Sequence, residues 1–286
     1  MPNKTLKREG VMLAYHVDPG KLSRLGESFF IQPKYNGERC RVEWFHNEPI
    51  LLSSYNNIFP HLSHIKKELL SFHKETGVNP DFDGELYVHG WPRERIDAAI
   101  RCPVNYNPDN EFLEYHVFDV QGEANQSFRL SLLNAAFFRF GFNCIKLVPT
   151  YTSNKDTWVG SANFFIDNGY EGAILRKSDA LYTPKRTTSL LKFKPTEEDS
   201  YTIIAVLEAI YQSGDPKEMV GAFRVRDSDN LEFNVTAGKL LHSERIQLWK
   251  DQQFLIGRQL LVKHEKLKTS HGVPVCAVAV EIGKEK

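Results

Sequence analysis

Short β-like runs, some with apolar and polar residues in alternation, recur along almost the whole chain, and they limit the fold more than any other feature. They lie at residues 29–33, 41–45, 85–88, 113–120, 145–150, 171–176 and 190–194. A period of two marks a strand with one buried face. Between some of the runs lie helical stretches, such as residues 64–74 and 130–140, where apolar residues recur at three- and four-residue steps. Strands and helices do not take strict turns, so a doubly wound parallel sheet is disfavoured. The pattern predicts an α+β domain of antiparallel sheets with helices.

Past Lys194-Pro195 the character changes. Residues 196–200 are acidic and polar and read as a linker. Beyond them come strand-like runs at 201–209, 219–226, 231–235, 258–264 and 273–282, broken by one helical stretch at 243–249. Five strands and one helix in so short a span predict a small Greek-key β-barrel of the OB-fold type. The expected domains are therefore residues 1–198 and 199–286.

Composition bounds the partners. At 41% hydrophobic and 25% charged residues, there is apolar mass for a core in each of two modest domains. The 36 Lys and Arg offset the 36 Asp and Glu, so the global charge gives no pull toward nucleic acid. Any phosphate contact must come from a local cluster of Lys and Arg. Four cysteines, Cys40, Cys102, Cys144 and Cys276, form no C-x-x-C pair, which argues against a zinc site or a disulfide framework. Residues 1–17 are basic without an apolar signal region, and no segment approaches membrane-spanning length. The expectation is a monomer in the cytoplasm of a cell or an infected host, with no membrane partner.

Several short motifs have chemical potential. In Lys34-Tyr35-Asn36-Gly37-Glu38-Arg39 a lysine precedes a turn glycine and a second cation. Lysine becomes a nucleophile when burial or neighbouring cations lower its pKa. Asp83-Gly84-Glu85-Leu86 sets two carboxylates around a glycine at a strand start, suited to Mg2+ or a ribose hydroxyl, or equally to a solvated turn. In Tyr115-His116-Val117-Phe118-Asp119-Val120, Phe118 can stack on a purine or belong to the core. Then come Gly169-Tyr170-Glu171-Gly172-Ala173-Ile174-Leu175-Arg176-Lys177 and Leu190-Leu191-Lys192-Phe193-Lys194. Alternation puts Lys192 and Lys194 on one strand face, where an anion between them would relieve their repulsion, or equally on the solvent face of an amphipathic surface strand. Each motif alone is weak.

Their order is not. A lysine candidate, a carboxylate strand, an aromatic strand, a Glu-Gly strand and a paired-lysine strand, followed by a barrel-like tail, resemble the covalent nucleotidyltransferase superfamily of DNA ligases, RNA ligases and capping enzymes. The resemblance runs from Met12-Leu13-Ala14 to the last strand and is closest to the minimal ATP-dependent DNA ligases. It implies that Lys34 is the catalytic, adenylylated residue and that Gln32 and its backbone lie near the adenine. It also implies that Arg39 meets the ribose or the nick 5′-phosphate, that Glu85 holds ribose or metal, and that Phe118 stacks on adenine. Glu171 would support the metal and Lys192 and Lys194 the α-phosphate, with Arg186 as a phosphate contact. In the tail, Gly221 to Arg226, Glu232 to Gly238 and Arg245 to Trp249 resemble a ligase barrel, with Arg224, Lys239 and Arg245 as DNA contacts. The implied cofactors are ATP and Mg2+ or Mn2+, and the implied partner is nicked duplex DNA.

RNA ligation shares Lys34 and its neighbours but is disfavoured by the tail, and capping falls for the same reason. NAD+ use is disfavoured because no nicotinamide-recognising domain precedes Lys34. A non-catalytic nick-binding relative is the reading from another class. Three departures from the family pattern stand out. Asn36 replaces an Asp, Leu52-Ser53-Ser54-Tyr55 lacks an Arg after its first Ser, and the last motif ends on Gly283-Lys284 without Arg. Lys284 is the expected partial substitute for that arginine.

Overall fold

The computed structural model describes residues 8–100, 106–238 and 240–283. In chain order the elements begin with β1 (Leu13–His16), a short helix α1 (Pro19–Leu22), β2 (Ser28–Lys34), β3 (Glu38–Phe45), β4 (Glu48–Ser53) and α2 (Ser63–Thr76). They continue with β5 (Phe82–Tyr87), α3 (Arg93–Ile100), β6 (Glu114–Val120), α4 (Gln126–Arg139), β7 (Ile145–Leu147) and β8 (Tyr151–Asn154). Next are α5 (Trp158–Asp167), β9 (Gly172–Lys177), β10 (Arg186–Phe193), β11 (Thr196–Ile210), β12 (Pro216–Arg226) and β13 (Glu232–Thr236). Helix α6 (His242–Lys250), β14 (Gln259–Glu265) and β15 (Val278–Ile282) complete the order. Two compact units meet between Phe193 and Lys194.

The first unit holds two five-stranded sheets, ordered β1-β10-β9-β2-β8 and β4-β3-β5-β6-β7. Each buries one face under helices. Trp158, Ala162 and Phe165 recur at helical spacing on α5 and pack with Phe29, Ile31, Leu175 and Leu191 of the first sheet. Ile65 and Leu69 of α2, Ile96 of α3 and Leu133 of α4 join Cys40, Val42, Leu86, Tyr115 and Val117 of the second. Gly77, at φ +70°, ends α2 in the left-handed conformation that glycine adopts without strain, and its N–H reaches His73 O at 2.8 Å. Since strand side chains alternate, the residues between these core positions share the opposite sheet faces.

The sheets correct one expectation. They are mixed, because β1 runs parallel to β10 and β6 parallel to β7. All their other pairings are antiparallel. Neither pair is joined by a hairpin: β1 and β10 stand far apart in the chain, and helix α4 lies between β6 and β7.

In the second unit the strands close into a barrel in the order β11-β12-β13-β15-β14. Every pairing is antiparallel except β13 with β15. Tyr201, Ile203, Val220, Phe223, Val225, Phe233, Val235, Leu260 and Val262 fill the interior. The stretch read as a linker is part of this barrel: Thr196 to Ser200 form the start of β11 and pair with Glu265 to Leu261 of β14. Among the described cysteines none is bridged; Cys40 is buried and Cys276 exposed.

Candidate active site

Lys34 is the last residue of β2 and pairs in register with Gly172 of β9. That register brings Glu171 beside it: Glu171 N–H donates to Lys34 O at 3.0 Å, and the Glu171 carboxylate holds the Lys34 ammonium in an ion pair. Glu171 is only 5% exposed, so this is a sheltered contact rather than a surface pair. Ile174 faces Gln32 across the sheet and Lys192 on its other side, giving one row of side chains next to the Lys34 position.

The second sheet supplies the facing groups. Arg39 of β3 lies opposite Glu85 of β5, which lies opposite His116 of β6, so all three share a face. Gly37 lets the turn after Lys34 lie directly on β5. A Cβ there would come within 2.2 Å of Leu86 O and 2.7 Å of Glu85 Cγ. Gly84 does the same between β5 and β6, where a Cβ would meet His116 O at 2.4 Å. Burial pushes the Glu85 carboxyl up to about 7, and Glu171 adds to the rise while Lys34, Arg39 and Arg93 oppose it. Those influences set Glu171, Lys34 and Arg39 within electrostatic reach of Glu85.

Arg39 is committed to a carboxylate. Its Nε donates to Asp83 Oδ1 at 2.7 Å, and Tyr182 Oη donates to Asp83 Oδ2 at 2.7 Å. A further Arg39 nitrogen reaches Met12 O at 3.2 Å. The Arg39 and Arg176 guanidinium carbons lie 4.8 and 5.0 Å from the Phe118 ring centroid, within cation–π range. Behind Phe118, the buried Asp119 accepts from Arg129 at 2.8 Å and from Arg176 at 2.9 Å. Gln32 is also buried, its amide engaged with Phe118 O, Thr150 and Arg176.

Lys192 lies on β10, which ends at Phe193, and just past that end the Lys194 ammonium reaches Glu265 Oε1 at 2.8 Å in the barrel unit. Arg186 begins β10, donates to Ala14 O and lies over the Tyr15 ring. Arg224 is exposed on β12, with Nε 3.3 Å from Asn234 Oδ1. Arg245 of α6 donates to Val220 O at 2.7 Å. Lys239 and Lys284 lie outside the described residues. Ser54, at the position where an arginine was missing, is buried.

The sequence reading missed Asp83 as Arg39's partner, together with Tyr182, Arg176, Asp119 and Arg129. Alternation from Gly172 through Ile174 would have placed Arg176 on the Gln32 face. No sequence signal announces that Tyr182 reaches back to Asp83, 99 residues away.

Among the described residues no group of three or more His, Cys, Asp or Glu converges as a metal cluster. Two neighbouring carboxylates fit a hard cation whose remaining ligands are phosphate oxygens and water, which is how Mg2+ is commonly held.

The first unit thus sets a sheltered lysine–carboxylate pair on one sheet and an aromatic ring flanked by two guanidinium groups on the other. The chain belongs to the ATP-dependent DNA ligase family: the family model described as ATP dependent DNA ligase domain matches residues 11–194. It is 28% identical over 270 residues to a DNA ligase of African swine fever virus, an alignment covering 87% of this chain and 62% of that one. The chain thus spans a little under two thirds of the length of the curated relatives it matches. Among solved structures it resembles a Lig E DNA ligase, with TM-score 0.76 and 19% identity over 96% of this chain and 99% of that one. A Chlorella virus DNA ligase–adenylate matches with TM-score 0.53 and 19% identity, over 99% of this chain and 100% of that one. At such identities these structures speak for the fold alone. Among the described residues no helix is long and apolar enough to cross a membrane.

Proposed function

We propose that the chain seals nicks bearing a 5′-phosphate and a 3′-hydroxyl in duplex DNA, with ATP, through Lys34. The observation that carries this reading is the Lys34–Glu171 pair with Glu85 within electrostatic reach, on the strand whose Gln32 donates to Phe118 O. The Lys34 amine, once deprotonated, attacks the α-phosphorus of ATP. A P–N bond forms, the bond to the β-phosphate oxygen breaks, and pyrophosphate leaves. An oxygen of the nick 5′-phosphate then attacks the same phosphorus, Lys34 departs, and the DNA carries AMP. Finally the 3′-hydroxyl oxygen attacks the 5′-phosphate, a phosphodiester forms and AMP leaves.

Phosphoryl transfer needs alignment and neutralised charge more than covalent help, and the remaining residues supply both. Glu171 holds Nζ of Lys34 in place before attack. Phe118 offers its ring to the adenine, and Gln32 lies beside it. Lys192, and Lys194 once released from Glu265, neutralise the α-phosphate. Arg39 meets the ribose or the nick 5′-phosphate, and Arg186 a further phosphate. Glu85 and Glu171 would hold Mg2+ or Mn2+, which when bound withdraws charge from the α-phosphate.

The barrel reads as an OB fold. Its strand order, closed by β14 against β11 with one parallel pair between β13 and β15, supports this. Arg224, Lys239 and Arg245 would lie along nick-flanking phosphates, and the protein acts as a monomer. The test is sealing of a nicked duplex with ATP and Mg2+, alongside nicks lacking the 5′-phosphate and nicks in RNA. The reading expects product from the DNA nick with the 5′-phosphate alone. No product there, or faster sealing of RNA, would overturn it.

A further inference from the structure

The Gln32 amide lies against Phe118 but is spoken for at both ends. Its nitrogen donates to Phe118 O at 3.2 Å and to Thr150 Oγ1 at 2.8 Å, while its oxygen accepts from Arg176 Nε at 2.6 Å. A guanidinium can only donate and a backbone carbonyl can only accept, so these partners fix which way the amide points. Arg176 also donates to Asp119 Oδ2 at 2.9 Å, and its guanidinium carbon stands 5.0 Å from the Phe118 ring centroid. Asp119 takes two further bonds from Arg129, at 2.8 and 3.1 Å. Phe118 is thus held at its carbonyl by Gln32, at its ring by Arg176, and through the next residue by both arginines. This support matters because the β5–β6 ladder shifts register between Asp83 and Gly84, and no ladder partner faces Phe118.

We propose that Gln32, Arg176 and Asp119 are positioning residues that set the Phe118 ring for purine stacking, and that Gln32 acts through Phe118 rather than by reading the base edge. This rests on the reading of Phe118 as the stacking surface. The two roles of Gln32 have different signatures. A side chain bonded to the base edge discriminates one purine from another, because the wrong base leaves its polar group unpaired. A side chain that only holds an aromatic ring affects all purines alike, since every base has a π-face. Stacking made equally in ground and transition states is lost from KM rather than from kcat.

The experiment uses the full chain and follows label transfer from ATP to protein, with GTP as a competing ligand. The variants are Gln32→Met, Gln32→Glu, Arg176→Lys, Phe118→Leu and the double variant Gln32→Met with Phe118→Leu. Gln32→Met keeps the side-chain length, and Gln32→Glu keeps the contact to Arg176 while setting a carboxylate against Phe118 O. We expect both, and Arg176→Lys, to raise KM for ATP and the inhibition constant for GTP by a common factor of roughly ten, the scale of losing base–aromatic stacking. kcat should stay within about twofold, and the double variant should be no worse than Phe118→Leu. A changed ATP-to-GTP preference in the Gln32 variants would make Gln32 a base-reading residue and overturn the proposal. So would a lower melting temperature with KM unchanged, which is what a purely structural network would give. If Phe118→Leu alone leaves KM unchanged, the stacking reading falls first and takes this proposal with it.

Discussion

Glu85 sits where its charge is least comfortable. Burial lifts its carboxyl to about 7 from an ordinary 4.5, with Glu171 adding to the rise and Lys34, Arg39 and Arg93 opposing it. Between those two values the folded chain binds more protons than the unfolded one, so this residue costs stability as pH rises through the window. Glu85→Gln should therefore raise the melting temperature of the nucleotide-free protein at pH 8. The upper bound on the gain is about 3 kcal/mol, and it should vanish below pH 4.5. Calorimetry across pH checks this, and a gain that is the same at pH 4 and pH 8 would contradict it. The same residue and Glu171 should matter more for chemistry than for folding. Glu85→Ala and Glu171→Ala should each slow nick sealing by about two orders of magnitude, the usual scale for losing one charge-stabilising group. Near-wild-type sealing by both variants would remove these carboxylates from the mechanism.

At the scale of elements, the turn between β2 and β3 is pressed onto β5 with no room for a side chain at Gly37. Gly37→Ala should cost about 1–3 kcal/mol, as overpacking generally does, and should displace Lys34 from Glu171. Gly122→Ala, with nothing within 4 Å of its new Cβ, should be neutral in both urea denaturation and sealing. If both glycine variants behave alike, close approach is not what Gly37 provides. Much of this layer was legible in the sequence. Alternation located β6 and β10, and the ordered motifs pointed to Lys34, Glu85 and Glu171, which the fold brings together. What escaped has physical reasons. Helix α5 has apolar residues around much of its surface, Val159 and Phe164 being exposed, so it shows little periodic contrast. Thr196 to Ser200 looked like a linker because all five residues face solvent at the start of β11. Lys192 and Lys194 share a period of two, but periodicity cannot show that a strand ends at Phe193. The Asp119–Arg129–Arg176 network was hidden because charged residues are ordinarily read as surface, whereas here three charges satisfy one another inside.

For the whole molecule, 36 cationic and 36 anionic residues leave no net charge to attract DNA. On the proposed reading, the grip on a nicked duplex rests on a few local contacts such as Arg186, Arg224 and Arg245, and affinity should fall steeply with salt through counterion release. Fluorescence anisotropy with a nicked duplex measures the slope, and affinity flat between low and high salt would contradict a phosphate-based grip. Everything else depends on one covalent bond. The most direct measurement is incubation of the protein with labelled ATP and Mg2+, followed by denaturing electrophoresis and peptide mass spectrometry of the labelled band. AMP should be found on the peptide containing Lys34. Lys34→Ala should abolish the label, as should Lys34→Arg, because a guanidinium keeps its charge and cannot attack the phosphorus. AMP on another lysine in the Lys34→Ala protein would contradict the account at its centre.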